Sequence, residues 1–379
     1  MNEKPNTKSD VMQTLWISYY GRPKSFVHGG VNQSRLERSI ELVEHAKYEV
    51  WILNPKNGFS YSDHELPTGV KQRRVFHFGK HRMSMCPIGL YFLKIPKNRK
   101  VFLELHEGWT LSNYFAYIWA RSKGIKVIIT PHGVYDPNIL AHLKLLRIRR
   151  HFEVSLIEAV SAVHVFTEME ENQVKLLAKN SNIIQSPTGY NLPEEIMLWK
   201  GGGGYIFFNG RLDINHKGID LLLTAFKKSS VERDLLLVGP DFQGDLARVL
   251  SLVLQLGIED RVYIISPQSR AVIEHLGIHC DLYVHPSRWE AFGRSTIEMM
   301  ALGVPTMISS TENIASIDGV EHCCHVVEPS SHEIEKFLSA FFSDEQKINS
   351  EKNGREWVKN NLNWKNIIEK YSEELSKLN

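Results

Sequence analysis

Short apolar runs alternate with amphipathic helical stretches along this chain, and the series runs twice. The first series holds the runs 14–20 (TLWISYY), 49–54 (EVWILN), 74–78, 101–105, 126–130 (KVIIT), 163–167 and 182–185. Helical spacing falls between several of them. Leu36, Ile40 and Val43 recur at four- and three-residue steps over 33–46, and further helices are expected at 111–122, 137–159 and 168–179. Strand, glycine turn, helix, strand opens a doubly wound parallel sheet. A stretch with two prolines and a glycine (SPTGYNLPEE) and then four glycines at 201–204 interrupts the series. It then restarts with strands expected at 205–209, 234–238, 262–265, 281–285, 306–309 and 324–327, helices between them, and terminal helices at 331–342, 345–361 and 364–378. The sequence therefore predicts two Rossmann-like doubly wound α/β domains. Residues 1–190 form the first, 191–204 a flexible linker, and 205–363 the second.

Composition narrows the class. The 379 residues, 42% hydrophobic and 23% charged, suit two soluble domains with buried cores. The N-terminus MNEKPNTKSD lacks the apolar core of a signal peptide, and no run reaches bilayer-spanning length, so a cytoplasmic protein is expected. Cys86, Cys280, Cys323 and Cys324 show no zinc spacing, and His322 and His325 beside the adjacent pair fit a buried strand better than a metal site. No metal is expected. The formal net charge of +2 conceals an asymmetry: residues 1–190 hold 26 Lys and Arg against 16 Asp and Glu, and residues 191–379 hold 19 against 27. The basic clusters include 71–74 (KQRR), 94–100 and 143–151 (LKLLRIRRH), the last mixing cations with Leu and Ile. Such a face suits anionic lipid headgroups, nucleic acid or an acidic ligand, and more simply a solvated helix.

The chemistry-bearing residues gather at strand ends, where ligands sit in open α/β sheets. In the second half the first strand runs into Asn209-Gly210-Arg211, and Lys217-Gly218 opens the following helix. A planar guanidinium and a point-charge ammonium around one strand-to-helix turn suit a diphosphate. Beyond the fourth strand, HPSRWEAFGRSTIEMMALGVP places Glu290 in a loop and Glu298 in the first helical turn. Ser295 and Thr296 are N-cap candidates there, and the free N–H groups of such a helix start attract anions. Ser295 and Glu298 also read as a capping box for their own helix. In the first half, KVIIT runs into Pro131-His132-Gly133, which puts a histidine beyond a strand, and His28-Gly29-Gly30 marks a turn before the first helix.

GRLDINHKGIDLLLTAF, LLLVGPD and SRWEAFGRSTIEMMALGVPTMIS together resemble the retaining glycosyltransferases of family four, which have the GT-B fold, and TPHGVYD and HGGVNQSRLERSIELVEHAKYEVWILN fit the same pattern more loosely. Glu290 and Glu298 match that group's Glu-x7-Glu signature. The resemblance implies two domains facing a central cleft, with a last helix (364–379) crossing back to complete the first. It implies that Arg211 and Lys217 bind the donor diphosphate beside Gly210, that Glu298 holds the ribose hydroxyls, and that Glu290 faces the donor sugar. Phe292, Gly293, Ser295 and Thr296 would offer donor contacts, His132 would lie near the reacting bond, and Gly30 would touch donor or acceptor. The implied function is metal-independent transfer of a sugar from a nucleotide diphosphate sugar, with retention, to a hydroxyl of a saccharide or lipid-linked saccharide. The setting would be bacterial cell-surface polysaccharide or glycoconjugate synthesis. No cofactor beyond the donor substrate and no nucleic-acid partner are expected, and the basic first half suggests peripheral contact with an anionic membrane at its inner face. Alternatives are a related GT-B epimerase or phosphorylase, and a non-catalytic nucleotide-sugar or glycan-binding protein.

Overall fold

The computed structural model describes residues 14–22, 29–56, 66–79, 86–141, 146–192, 198–343 and 353–378. The chain divides into two compact units. Unit 1 comprises residues 1–165, 171–188 and 364–379, and unit 2 comprises residues 166–170 and 189–363.

Unit 1 is a seven-stranded sheet built from β1 (Thr14–Tyr19), β2 (Glu49–Pro55), β3 (Val70–Val75), β4 (Lys100–His106), β5 (Lys126–Thr130), β6 (Ala162–Val165) and β7 (Ile183–Gln185). Its order is β3-β2-β1-β4-β5-β6-β7 with every pairing parallel. The order reverses between β1 and β4, which is the doubly wound switch point. Helices α1 (Gly29–Ala46), α2 (Leu111–Ser122), α3 (Pro137–Ala141), α4 (Leu146–Ala159) and α5 (Glu168–Leu177) connect the strands. Parallel strands covered on both faces read as continuous apolar runs, and β1, β2 and β4 are buried along nearly their whole length.

Two expectations shift here. The third strand is VKQRRV, not the more apolar 74–78: β3 is the sheet edge, so its basic side chains reach solvent and apolar content misplaces it by four residues. The first helix begins at Gly29, so Gly30 lies in its first turn rather than in a turn before it, with open space where a side chain would go. Of the helix expected over 137–159, the described residues hold α3 and α4, and residues 142–145 between them, with part of the basic cluster, lie outside the described residues.

Unit 2 is a six-stranded parallel sheet in the order β10-β9-β8-β11-β12-β13, made of β8 (Tyr205–Asn209), β9 (Asp234–Val238), β10 (Val262–Ile265), β11 (Leu282–His285), β12 (Thr306–Ser309) and β13 (His325–Val327). Its helices are α6 (Ile219–Lys228), α7 (Asp245–Leu256), α8 (Arg270–His279), α9 (Arg294–Ala301), α10 (Ser331–Ser343) and α11 (Asn353–Asn361). The first eight residues of the helix expected over 345–361 lie outside the described residues. The glycine-rich stretch expected as a linker is tied along unit 2: Trp199 donates its backbone N–H to Leu302 and its indole N–H to Cys280, and Lys200 donates to Ile278.

The last helix, α12 (Trp364–Lys377), packs on unit 1 as expected. Trp364, Ile367, Ile368, Tyr371 and Leu375 are buried in one cluster with Trp16 of β1 and Leu36 of α1. The Trp16 and Tyr371 rings meet edge-on at 6.0 Å.

Candidate functional site

In unit 2 two loops leave neighbouring strand ends. One runs from β8 to α6 (residues 210–218), the other from β11 to α9 (286–293), and β8 and β11 pair in parallel. Arg288 ties the loops together. Its guanidinium grips both Asp220 oxygens at 2.8 and 2.7 Å and donates to the Asn215 carbonyl at 2.9 Å. Both helices start on a glycine in the left-handed region, Gly218 at φ 61° and Gly293 at φ 56°, and neither start has a side-chain cap. A Cβ on Gly293 would come within 2.8 Å of a Glu312 oxygen, so the turn needs glycine twice over. The expected caps are thus corrected: α9 is capped at Gly293, two residues before Ser295, which instead hydrogen-bonds Tyr283, and no Ser295–Glu298 capping box forms. The first N–H groups of each helix lack intrahelical acceptors and carry the positive end of the helix dipole.

These loops bring Arg211, Lys217 and Glu290 into one network. The Lys217 ammonium, only 8% exposed, donates to Glu290 Oε2 and, at 3.1 Å, to His285 Nε2. His285, wholly buried, meets Glu312 Oε1 through Nδ1 at 2.7 Å. Since Lys donates only and a carboxylate accepts, these contacts suit the His285 tautomer with its proton on Nδ1 and Nε2 accepting. Burial is the largest single effect and raises the Glu290 carboxyl, but the Lys217 charge and hydrogen bond, together with the neighbouring histidines, outweigh it and hold Glu290 well below the usual carboxylate range. Arg211 donates from Nη2 to His216 Nδ1 at 3.2 Å and stacks on Phe242 at 4.6 Å. His216 donates from Nε2 to the Trp289 carbonyl at 2.8 Å and stacks on the Trp289 ring. Burial, and then the Lys217 charge, push His216 down to about 3.

The other expected donor residues divide. Glu298 and Ser295 are half-buried on the first turns of α9, and Arg294 lies 4.0 Å from Glu298. Thr296 and Phe292 face the interior: Thr296 donates to Glu312 Oε2 at 3.4 Å, and Phe292 packs on Phe166 at 5.6 Å, which leaves Phe292 only its backbone for a ligand. Gly210 lies between Phe208 and the Lys217 stem, and a Cβ there would touch Phe208 at 3.1 Å.

In unit 1, His132 follows β5 in the left-handed region at φ 56°, a strained position for a non-glycine residue. Its Nε2 lies 2.9 Å from His106 Nδ1, at the end of β4. His106 Nε2 lies 2.8 Å from Ser18 Oγ and 3.3 Å from Glu104 Oε2. Glu104, 1% exposed, also accepts from Thr130 at 2.7 Å and from the Trp16 indole at 3.2 Å. Burial, then the neighbouring His106, hold His132 well below its ordinary range. Among the described residues, one trio, Glu41, Glu44 and His45 on α1, has ligand atoms close enough for a metal, and two of the three are exposed. Sequence reasoning missed His106, Glu104, His216, His285 and Glu312. A shared signal was present for the first two and for His285: each is a polar residue within or ending an apolar strand, where an unpartnered group is costly.

Two doubly wound parallel units with the terminal helix returned to the first match the GT-B fold. Residues 194–362, most of unit 2, match the model of the family described as glycosyl transferases group 1. The chain is 33% identical over 130 residues to a D-inositol 3-phosphate glycosyltransferase of a Mycobacterium species (strain KMS), an alignment covering 32% of this chain and 30% of that protein. The match thus spans less than a third of that relative's length. Solved structures match throughout. Sucrose-phosphate synthase of Thermosynechococcus elongatus has a TM-score of 0.74 at 18% identity over 97% of this chain and 99% of that one. HepE of Anabaena in complex with UDP has a TM-score of 0.75 at 16% identity over 97% and 100%. No helix among the described residues is long and apolar enough to cross a membrane.

Proposed function

We propose that this protein is a retaining, metal-independent glycosyltransferase that moves a sugar from a nucleotide diphosphate sugar to a hydroxyl of a saccharide or lipid-linked saccharide. The observation that carries the reading is the network in which His216 orients Arg211 while Glu290 and His285 hold Lys217, beside two helix starts that have no side-chain cap. The group 1 match over this unit and the UDP bound to HepE support it. Departure of the diphosphate concentrates negative charge, so cations fixed beforehand lower the barrier without rearranging. The bond from the anomeric carbon to the phosphate oxygen breaks with its electron pair going to the diphosphate. The acceptor oxygen bonds to that carbon on the same face, and its proton passes to the departing phosphate. Glu290 is engaged by Lys217 and serves to hold that cation rather than as a nucleophile. Glu298 takes the ribose hydroxyls, and the backbone at Phe292 and Gly293 takes the sugar.

Peripheral attachment to an anionic membrane at the cytoplasmic face completes the proposal. It is supported by α4, which exposes Ile148 and Phe152 among Arg147, Arg149 and Arg150. The test is incubation with a panel of nucleotide diphosphate sugars and saccharide acceptors, with and without a chelator. Acceptor-dependent release of nucleotide diphosphate, a product of unchanged anomeric configuration by NMR, and indifference to the chelator are expected. Epimerised donor without acceptor, or sugar phosphate formed from an oligosaccharide and phosphate, would overturn it.

A further inference from the structure

We propose that Glu312 is a positioning residue for the donor site: it holds Lys217 in place for the diphosphate, through His285 by its side chain and through Glu290 by its backbone. The inference rests on the reading that Lys217 meets the diphosphate. It is carried by the convergence of both Lys217 partners on this one wholly buried residue.

An ammonium on a flexible four-carbon stem has no preferred direction of its own, so its acceptors decide where the charge sits. Lys217 has two, Glu290 Oε2 and His285 Nε2. Each is held from the segment that follows β12. Glu290 and Glu312 form an isolated parallel bridge, and the Asn313 backbone N–H donates to the Glu290 carbonyl at 2.9 Å. His285 meets Glu312 Oε1 through Nδ1 at 2.7 Å. The rings of Phe208 and Tyr283 lie nearly parallel to His285, at 6.2 and 6.3 Å between centroids, and set its plane. Packing does not choose which edge faces Lys217, because a half-turn about Cβ–Cγ would put a carbon where Nε2 stands. The bond at Nδ1 makes that choice. Ser287 Oγ, at 3.5 Å, is a more distant neighbour of Nε2 than the ammonium at 3.1 Å. Glu312 is itself pinned: Oε2 accepts from Thr296 Oγ1 and Oε1 from the Ser309 backbone N–H, both at 3.4 Å. A buried carboxylate and imidazole cost more desolvation than an apolar pair of that size, so the fold gains something from them that packing alone would not supply. That gain is a fixed Lys217.

The test is a double-mutant cycle read as nucleoside diphosphate affinity. UDP, GDP and ADP are titrated into wild type by calorimetry, and the tightest is carried through Glu312→Leu, Lys217→Ala and the double variant, each first shown to melt cooperatively. Glu312→Leu should weaken binding roughly tenfold, as for a lost hydrogen bond to a charged group, but less than about twofold once Lys217 is already alanine. Glu312→Gln, whose amide oxygen can still accept from His285 Nδ1, should restore most of the affinity. If Glu312→Leu does not fold, Glu312→Asp, one methylene shorter, replaces it in the cycle with the same pattern expected. Nitrogen-15 NMR of ring-labelled histidine adds a readout in the ligand-free protein: His285 should carry its proton on Nδ1 in wild type and lose that preference in Glu312→Leu or Glu312→Asp. Equal losses of affinity with and without Lys217 would overturn the proposal, since a carboxylate that only supports the fold weakens both backgrounds alike. So would Glu312→Gln binding as weakly as Glu312→Leu, or wild-type His285 protonated on Nε2. Lys217→Ala binding as tightly as wild type would instead sink the diphosphate reading, and the NMR would then decide by itself whether Glu312 orients His285.

Discussion

His216 does its work by staying neutral. With its ring pushed down to about 3, it carries no proton on Nδ1 at any ordinary pH, and that lone pair receives Arg211. His216→Phe would keep the stack on Trp289 and lose the acceptor, so the guanidinium would be free to swing away. Affinity for a nucleoside diphosphate, measured by calorimetry, should fall roughly tenfold, as for one lost hydrogen bond to a charged group, with the melting temperature nearly unchanged. Equal affinity would show that Arg211 needs no such partner. Arg211, Lys217 and Glu290 were legible in the sequence because a strand end, a glycine and a helix start bracket them within a few residues. The more distant of their holders were not. His285 stands 68 residues from Lys217, and Glu312 lies 27 beyond His285. Only folding of the sheet brings such groups together, and no local pattern announces it.

The elements themselves were legible wherever an apolar run is buried on both faces, as in β4, β5, β8 and β9. Legibility failed where an edge or a special backbone conformation decides the boundary. At β3 the solvent edge permits Lys and Arg inside a strand, and at α9 a left-handed glycine starts the helix ahead of its hydroxyl residues. Helix α4 carries a further consequence. Glu153, 5% exposed, accepts from the Tyr135 hydroxyl at 2.5 Å, and burial raises its carboxyl from 4.5 to about 7. The folded state therefore keeps a proton that the unfolded chain releases above its ordinary value. Stability should fall as pH rises from about 4.5 to about 7, and stay at the lower level beyond. Glu153→Gln should remove that slope and raise stability at pH 8 by up to roughly 3 kcal/mol. Urea unfolding at pH 5 and pH 8 checks it: an unchanged slope in the variant would assign the pH dependence to another group.

At the scale of the whole chain, the terminal helix is part of the first unit's core. Trp364 is 2% exposed and Tyr371 and Ile368 are 1% exposed, packed with residues more than three hundred positions earlier. The apolar spacing of Trp364, Ile367, Ile368 and Tyr371 gave the helix its buried face in the sequence. Its address on unit 1 came from the family resemblance, since periodicity cannot say which surface a helix covers. Trp364→Ala should cost about 3–5 kcal/mol by cavity formation, seen as an earlier urea midpoint of unit 1. An unmoved midpoint would mean that the helix adds little to that core.

The central claim is that Arg211 and Lys217 hold the diphosphate of a nucleotide sugar. The most direct measurement is turnover and nucleoside diphosphate affinity for wild type, Arg211→Ala and Lys217→Ala, each first shown to melt cooperatively. Turnover should drop roughly tenfold or more in each variant, with weakened diphosphate binding. Wild-type turnover and affinity retained in both variants would contradict the claim.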